Sequence, residues 1–275
     1  MKKRPIALVA LIAAMTGIVT TGCAPTAPGP APSETAAAST LTGTVTVFAA
    51  ASLTDTFTAI AQAFNERHPD VQLVFNFGGS SGLAAQLVEG APVDVFAAAS
   101  GTTMTVVTDA ALAAGEPVVF ATNTLAIAVP AGNPGGVTGL ADFAKPELVI
   151  ALCEPLVPCG AASVAVLERA GVEASVDTLE QDVRAVLTKI ELGEVDAGLV
   201  YKTDVIAAGD AVEGIELPGA AAAIGRYPIV QLVDSANLGA ANPGAMNPAA
   251  AAAFITFVLS PTGQRILKDA GFGAP

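Results

Sequence analysis

Residues 44–67 read TVTVFAAASLTDTFTAIAQAFNER. The period of the apolar residues changes part-way along. Thr44-Val45-Thr46-Val47-Phe48 is a short apolar and β-branched run, the pattern of a buried strand. From residue 53 to 67, Phe57, Ile60, Ala61 and Phe64 fall at i, i+3, i+4 and i+7, one face of a helix that Pro69 ends. A strand turning straight into a helix opens a βαβ unit.

Working outward, the rhythm continues. Val71, Leu73, Phe75 and Phe77 alternate as a strand. Gly78-Gly79-Ser80-Ser81-Gly82 is a turn, a short helix runs to Glu89, and Val93 to Ala98 is a further strand. This order predicts a parallel, doubly wound α/β sheet. A second run of the same kind starts at Leu125 to Val129. It continues with a strand at 148–152, helices near 161–170 and 180–192, and a strand at 197–201. A strand at 228–233 then leads into two C-terminal helices, near 248–259 and 262–270. Two such runs imply two doubly wound α/β lobes with a cleft between them.

Ahead of the folded part, Met1-Lys2-Lys3-Arg4 is a basic segment and Ile6 to Val19 an apolar one, too short for a comfortable membrane span. Thr20-Thr21-Gly22-Cys23 follows. A small residue before Cys is the pattern of a lipoprotein signal, so residues 1–22 read as the leader and Cys23 as the lipidated new N-terminus. The alternative is an ordinary cleaved leader with an incidental Cys. Residues 23–42, rich in Pro and Ala, read as an extended tether. The expected location is the extracytoplasmic face of the membrane, anchored by lipid.

Of 275 residues, 52% are hydrophobic and 13% charged, which provides ample material for a core. Loss of Lys2, Lys3 and Arg4 with the leader leaves nine basic residues against 25 acidic ones, near −16. Such a surface repels nucleic acid and anionic substrates at long range. Any anion site must therefore work through short-range, oriented donors. With Cys23 lipidated, Cys153 and Cys159 remain. Export favours a bridge between them; two buried free thiols are the alternative. One His, His68, and two Cys fall short of a zinc site.

Three helix starts stand out: Ser52-x-x-Asp55, a capping-box pattern; Gly79-Ser80-Ser81-Gly82; and Val157-Pro158-Cys159-Gly160. In α/β sheets these turns gather at the carboxyl ends of strands, where ligands bind. Helix N-termini offer free N–H groups and partial positive charge, which suits an anion. A plain N-cap role for Ser52 stands beside that reading. Gly78 to Gly82 also matches the G-x-S-x-G nucleophile elbow, which would make Ser80 the nucleophile of an exported hydrolase. That chemistry needs a histidine after the serine. His68 precedes it and reads as an exposed helix-end residue, so the chain is expected not to be an enzyme. Asp94 and Glu89 read as solvated or capping carboxylates.

Taken together, Val47 to Leu53, Phe77 to Ser81, Gly90-Ala91-Pro92-Val93-Asp94-Val95-Phe96, Glu154 to Gly160, Asp182-Val183-Arg184 and Gly198-Leu199-Val200-Tyr201 resemble the molybdate-binding proteins of bacterial ABC transporters. The resemblance covers nearly all of residues 43–274. It implies the type II periplasmic-binding-protein fold, with residues 43–122 plus 231–275 as one lobe, 123–230 as the other, and crossings near 121–125 and 226–232. It implies capture of molybdate or tungstate without a cofactor, delivery by a monomer to an ABC permease, and no metal coordination by side chains. Ser52 and Ser80 would donate through hydroxyl and backbone N–H, Cys159 and Val183 through backbone N–H, and Tyr201 through its phenol. Position 159 departs from the family's usual Ala. Sulfate or phosphate is the alternative cargo.

Overall fold

The structure is a computed structural model and describes residues 41–217, 223–233 and 247–275. The leader, Cys23 and the tether as far as residue 40 lie outside the described residues.

The first sheet is built from β1 (Gly43–Ala50), β2 (Val71–Gly78), β3 (Val95–Ala97), β4 (Val118–Asn123) and β10 (Gly225–Gln231), in the order β2-β1-β3-β10-β4. The second holds β5 (Leu125–Pro130), β6 (Ile150–Cys153), β7 (Thr178–Glu180), β8 (Ala197–Tyr201) and β9 (Val212–Ile215), in the order β7-β6-β8-β5-β9. Each sheet has a parallel core that the alternating strand and helix pattern predicts: β1 pairs parallel with β2 and β3, and β6 with β7 and β8. Neither is wholly parallel. β10 runs antiparallel to β3 and β4, and β5 antiparallel to β8 and β9. The reason is connectivity. β4 and β5 lie either side of Thr124, so the strand that leaves one sheet feeds the other directly instead of returning through a crossover helix.

The two sheets are joined in the intervals 124 and 216–224. β10 pairs entirely within the first sheet, with Gly225 opposite Asn123 and Arg226 opposite Thr122. The return therefore comes before Gly225, and residues 225–230, which the sequence division places in the second lobe, belong to the first sheet. Pro228 sits at a register shift in β10, where a missing N–H does least harm to the ladder. Thr122 also exchanges both backbone hydrogen bonds with Gly273, each 2.9 Å. It is thus held on one side by Arg226 and on the other by the chain's last residues.

Helices cover both faces of the first sheet. α1 (Thr54–Asn65), α7 (Pro248–Leu259) and α8 (Pro261–Asp269) bury Phe57, Phe64 and Phe254 on one face, with Phe57 edge-on to Phe254 at 5.9 Å. α2 (Ser80–Val88) and α3 (Gly101–Asp109) cover the other with Leu83, Leu87, Met104 and Val107. In the second half, α4 (Pro158–Ala170), α5 (Val183–Glu191) and α6 (Lys202–Ala208) pack a single core around Ile127, Ile150, Val186, Ile190 and Leu199.

Two smaller expectations change. His68 is half-buried, its ring lying 4.6 Å from that of Phe64. Asp94 is fully buried and accepts backbone N–H bonds from Thr46 and Asn247, both at 2.7 Å. Burial pushes its carboxyl up, and those two bonds draw it partly back. It ties β1 to the start of α7 and is not a solvated group.

Candidate functional site

The carboxyl ends of β1, β2, β6 and β8 face one cavity of about 230 Å³ including its mouth. Its lining includes Ser52, Ser80, Cys159, Val183 and Tyr201, so all five residues singled out from sequence come together. Ser52 and Ser80 come from the first half, the other three from the second. No Lys, Arg or His is in the lining.

Each donor is left free by a local cause. The strand β1 ends in a 3-10 turn, Ala51–Leu53, and neither this turn nor α1 has a side-chain cap. The capping box expected of Ser52 and Asp55 is therefore not formed. The Ser52 hydroxyl pairs with the Tyr227 hydroxyl at 2.9 Å. Ser80 opens α2 and caps nothing; its Oγ accepts the Ala99 N–H at 3.1 Å. That bond fills an acceptor position and leaves the Ser80 proton available for a ligand in the cavity.

α4 starts with Pro158, which has no N–H to waste at a helix start, and its N-cap Val157 makes no side-chain cap. The Cys159 N–H is thus an unpaired helix-start donor. α5 is capped by Asp182, whose Oδ1 accepts from Arg184 N–H at 2.8 Å and Ala185 N–H at 3.0 Å. That bond pair skips Val183, whose N–H stays unclaimed. The Asp182 carboxylate also lines the cavity, but its Oδ1 is committed to the helix. The first amides of a helix have no internal acceptor, and together the helix starts place partial positive charge on the cavity wall.

Tyr201 completes the wall, and Tyr227 stands behind Ser52. Tyr201 and Tyr227 are buried, with rings 6.0 Å apart. Burial pushes both hydroxyls well up, so each stays a neutral donor at any physiological pH. The Asn123 side chain hydrogen-bonds Tyr227 and donates to Thr203 Oγ1 at 2.8 Å. Behind Tyr201, the buried Asp204 accepts its backbone N–H at 2.9 Å. Burial raises the Asp204 carboxyl to about 7, and the Tyr201 N–H and the Arg184 charge pull against that rise.

The halves touch around the cavity. The Ser81 hydroxyl donates to the Leu156 carbonyl at 3.0 Å, and Arg184 pairs with Asp55. Gly79 lies so close to the Gln181 carbonyl that a Cβ there would overlap it. Cys153 and Cys159 are bridged, their Cα atoms 5.8 Å apart, which ties the end of β6 to the first turn of α4. Gly160 packs against the Glu154 carbonyl, again without room for a Cβ. Sequence reading missed Tyr227, the partner of Ser52. Its only signal is an aromatic hydroxyl in a strand that ends at the crossing. The Ser80 hydroxyl accepts from the Ala99 amide, and no histidine is in the lining to act as its base.

Arranged in this way, the cavity can grip a compact, multiply charged anion by neutral donors on all sides.

Comparison with known proteins agrees with this architecture. Residues 45–273 match the profile of the bacterial extracellular solute-binding protein family. The chain is 39% identical over 231 residues to the molybdate-binding protein ModA of Mycobacterium tuberculosis, covering 84% of this chain and 85% of that one. Among solved structures, the periplasmic molybdate-binding protein of Azotobacter vinelandii aligns with TM-score 0.71 at 22% identity, over 84% of this chain and 99% of that one. The sulfate-binding protein SubI of M. tuberculosis aligns with TM-score 0.70 at 18% identity, over 83% and 86%. The two structural likenesses show the fold alone. With its two-sheet fold, the family profile along almost the whole described chain and relatives of this identity, the chain belongs to the bacterial extracellular solute-binding protein family.

Proposed function

We propose that this protein captures molybdate, or its congener tungstate, and delivers it to an ABC permease. The observation that carries the reading is the cavity itself. Hydroxyl and amide donors from both halves converge on it, and it has no basic side chain. Each hydrogen bond to a charged group contributes roughly 1.5–3 kcal/mol net, so several converging donors bind a dianion tightly inside an acidic protein. The ModA relatives, which share 39% identity, are named for molybdate and support the choice of cargo. Ser52, Ser80, Cys159, Val183 and Tyr201 are the proposed ligands.

The family is extracellular, and no helix among the described residues is long and apolar enough to cross a membrane. We assign residues 1–22 to a lipoprotein leader and Cys23 to the lipid anchor, with the folded part working as a monomer on the outer face of the membrane.

Calorimetric titration with molybdate, tungstate, sulfate and phosphate tests the cargo. The expected result is tight 1:1 binding of the two metalates and at least ~100-fold weaker binding of the others. Sulfate or phosphate binding without a metalate would move the assignment to another oxyanion. Loss of metabolic palmitate labelling in Cys23→Ala tests the anchor.

A further inference from the structure

We propose that Asp55 and Arg184 form a latch across the cleft that sets how long the oxyanion stays bound, although neither side chain touches it. The inference rests on the oxyanion-binding reading above.

Four ion pairs occur among the described residues. Asp142 with Lys145 and Glu180 with Lys189 lie within the second half, and Arg265 with Asp269 within the first. Asp55 with Arg184 alone joins the two. Its position is specific. Asp55 is in the first turn of α1, three residues after Ser52. Arg184 follows Val183 at the start of α5, where Asp182 holds its backbone N–H. Neither lines the cavity. Drawing the pair together therefore brings Ser52 and the Val183 N–H to bear on one anion from opposite walls.

The pair also answers an electrostatic problem. The starts of α1 and α5 are both partially positive and approach across the cleft, so they repel when no anion lies between them. A carboxylate on one and a guanidinium on the other supply attraction along the same line. Arg184 is also the cation whose charge bears on Asp204, with Asp55 and Asp182 opposing it. Two mechanisms are thus separable. If Arg184 acted only through its field on the anion, deleting the Asp55 charge would tighten binding. If the pair is a latch, the same deletion loosens it.

Asp55→Asn, Arg184→Gln, the double variant, and the charge reversal Asp55→Arg with Arg184→Asp are compared with wild type. The measurements are calorimetric affinity for molybdate and dissociation rate by stopped flow. Both groups are partly exposed, 59% and 29%, so the expected effect is modest. Each single variant should bind about 2- to 5-fold more weakly through faster dissociation, and the double no more weakly than the worse single. The reversal should recover at least half the loss. The effect should shrink in high salt, and unliganded melting temperatures should stay near that of wild type. Tighter or unchanged binding in Asp55→Asn overturns the latch, as does a loss confined to one of the two singles. A wild type that binds no tetrahedral oxyanion overturns the parent reading and this inference together.

Discussion

The Tyr227 hydroxyl lies 2.9 Å from the Ser52 hydroxyl across 175 residues of sequence. Tyr227 stands on β10, the strand that carries the chain back to the first sheet, and Ser52 on the turn that ends β1. With Tyr227 as donor, the single Ser52 proton is directed at the anion. Tyr227→Phe should therefore weaken molybdate binding by about 3- to 10-fold while leaving the cavity's shape intact. Ser52→Ala and Ser80→Ala should each cost ~10-fold or more, because each deletes a donor outright. Calorimetry on the three variants checks the order.

Gly79 permits a contact between the halves that no other residue allows. Its φ is −58°, which alanine adopts freely, so Gly79→Ala carries no backbone strain. The added methyl meets the Gln181 carbonyl only when the halves are together. Overpacking of this kind costs ~1–3 kcal/mol, so affinity should drop by at least ~5-fold while the unliganded melting temperature hardly moves. Equal losses in both would place the effect in folding.

The disulfide closes a short loop. Cys153→Ala with Cys159→Ala should lower unfolding free energy by ~2 kcal/mol on the chain-entropy model. Affinity should fall by less than ~10-fold, since residue 159 contributes its backbone and alanine retains it. Urea unfolding with and without molybdate separates the two effects. Collapse of binding would show that the bridge itself positions the donor.

Asp204 sets a pH dependence. Its folded carboxyl is raised to about 7 by burial, above the ~3.9 of an unfolded Asp. The folded state therefore holds the proton more tightly. The stabilisation is fully present below about pH 4 and is lost as pH rises through 7. Three units correspond to roughly 4 kcal/mol at most. Asp204→Asn keeps an oxygen for the Tyr201 N–H but removes this titration. The variant should gain on wild type between pH 4.5 and 7 in urea unfolding, and the gain should level off by pH 8. A constant difference over that range would reject the assignment.

How much of this could be read from the chain depends on range. β1, α1, β2 and α2 follow from local period and turn residues, and they carry Ser52 and Ser80. Val183 and Cys159 sit at helix starts that Asp182 and Pro158 announce. What sequence lacked was non-local. β4 reads VVFATN, an apolar run of only four residues that ends in Thr122 and Asn123, and its place in the sheet comes from pairing with Arg226 and Tyr227 far along the chain. The antiparallel course of β10 depends on where the return occurs, which no residue type encodes. The Ser52-x-x-Asp55 pattern suited a cap, but Tyr227 and Arg184 offered each side chain a better partner from far along the chain.

Thr122 is gripped from both sides, by Arg226 and by Gly273. A strand so clamped is a stiff rod up to Asn123, and β5 stiffens again from Leu125. On this branch the chain passes from one sheet to the other in a single residue, Thr124, whose carbonyl accepts the Lys202 N–H at 2.9 Å. So short a passage would leave any swing of one half against the other few directions, like a door on a pin rather than a slack cord. An empty binding protein built so would meet its transporter in a narrow range of poses.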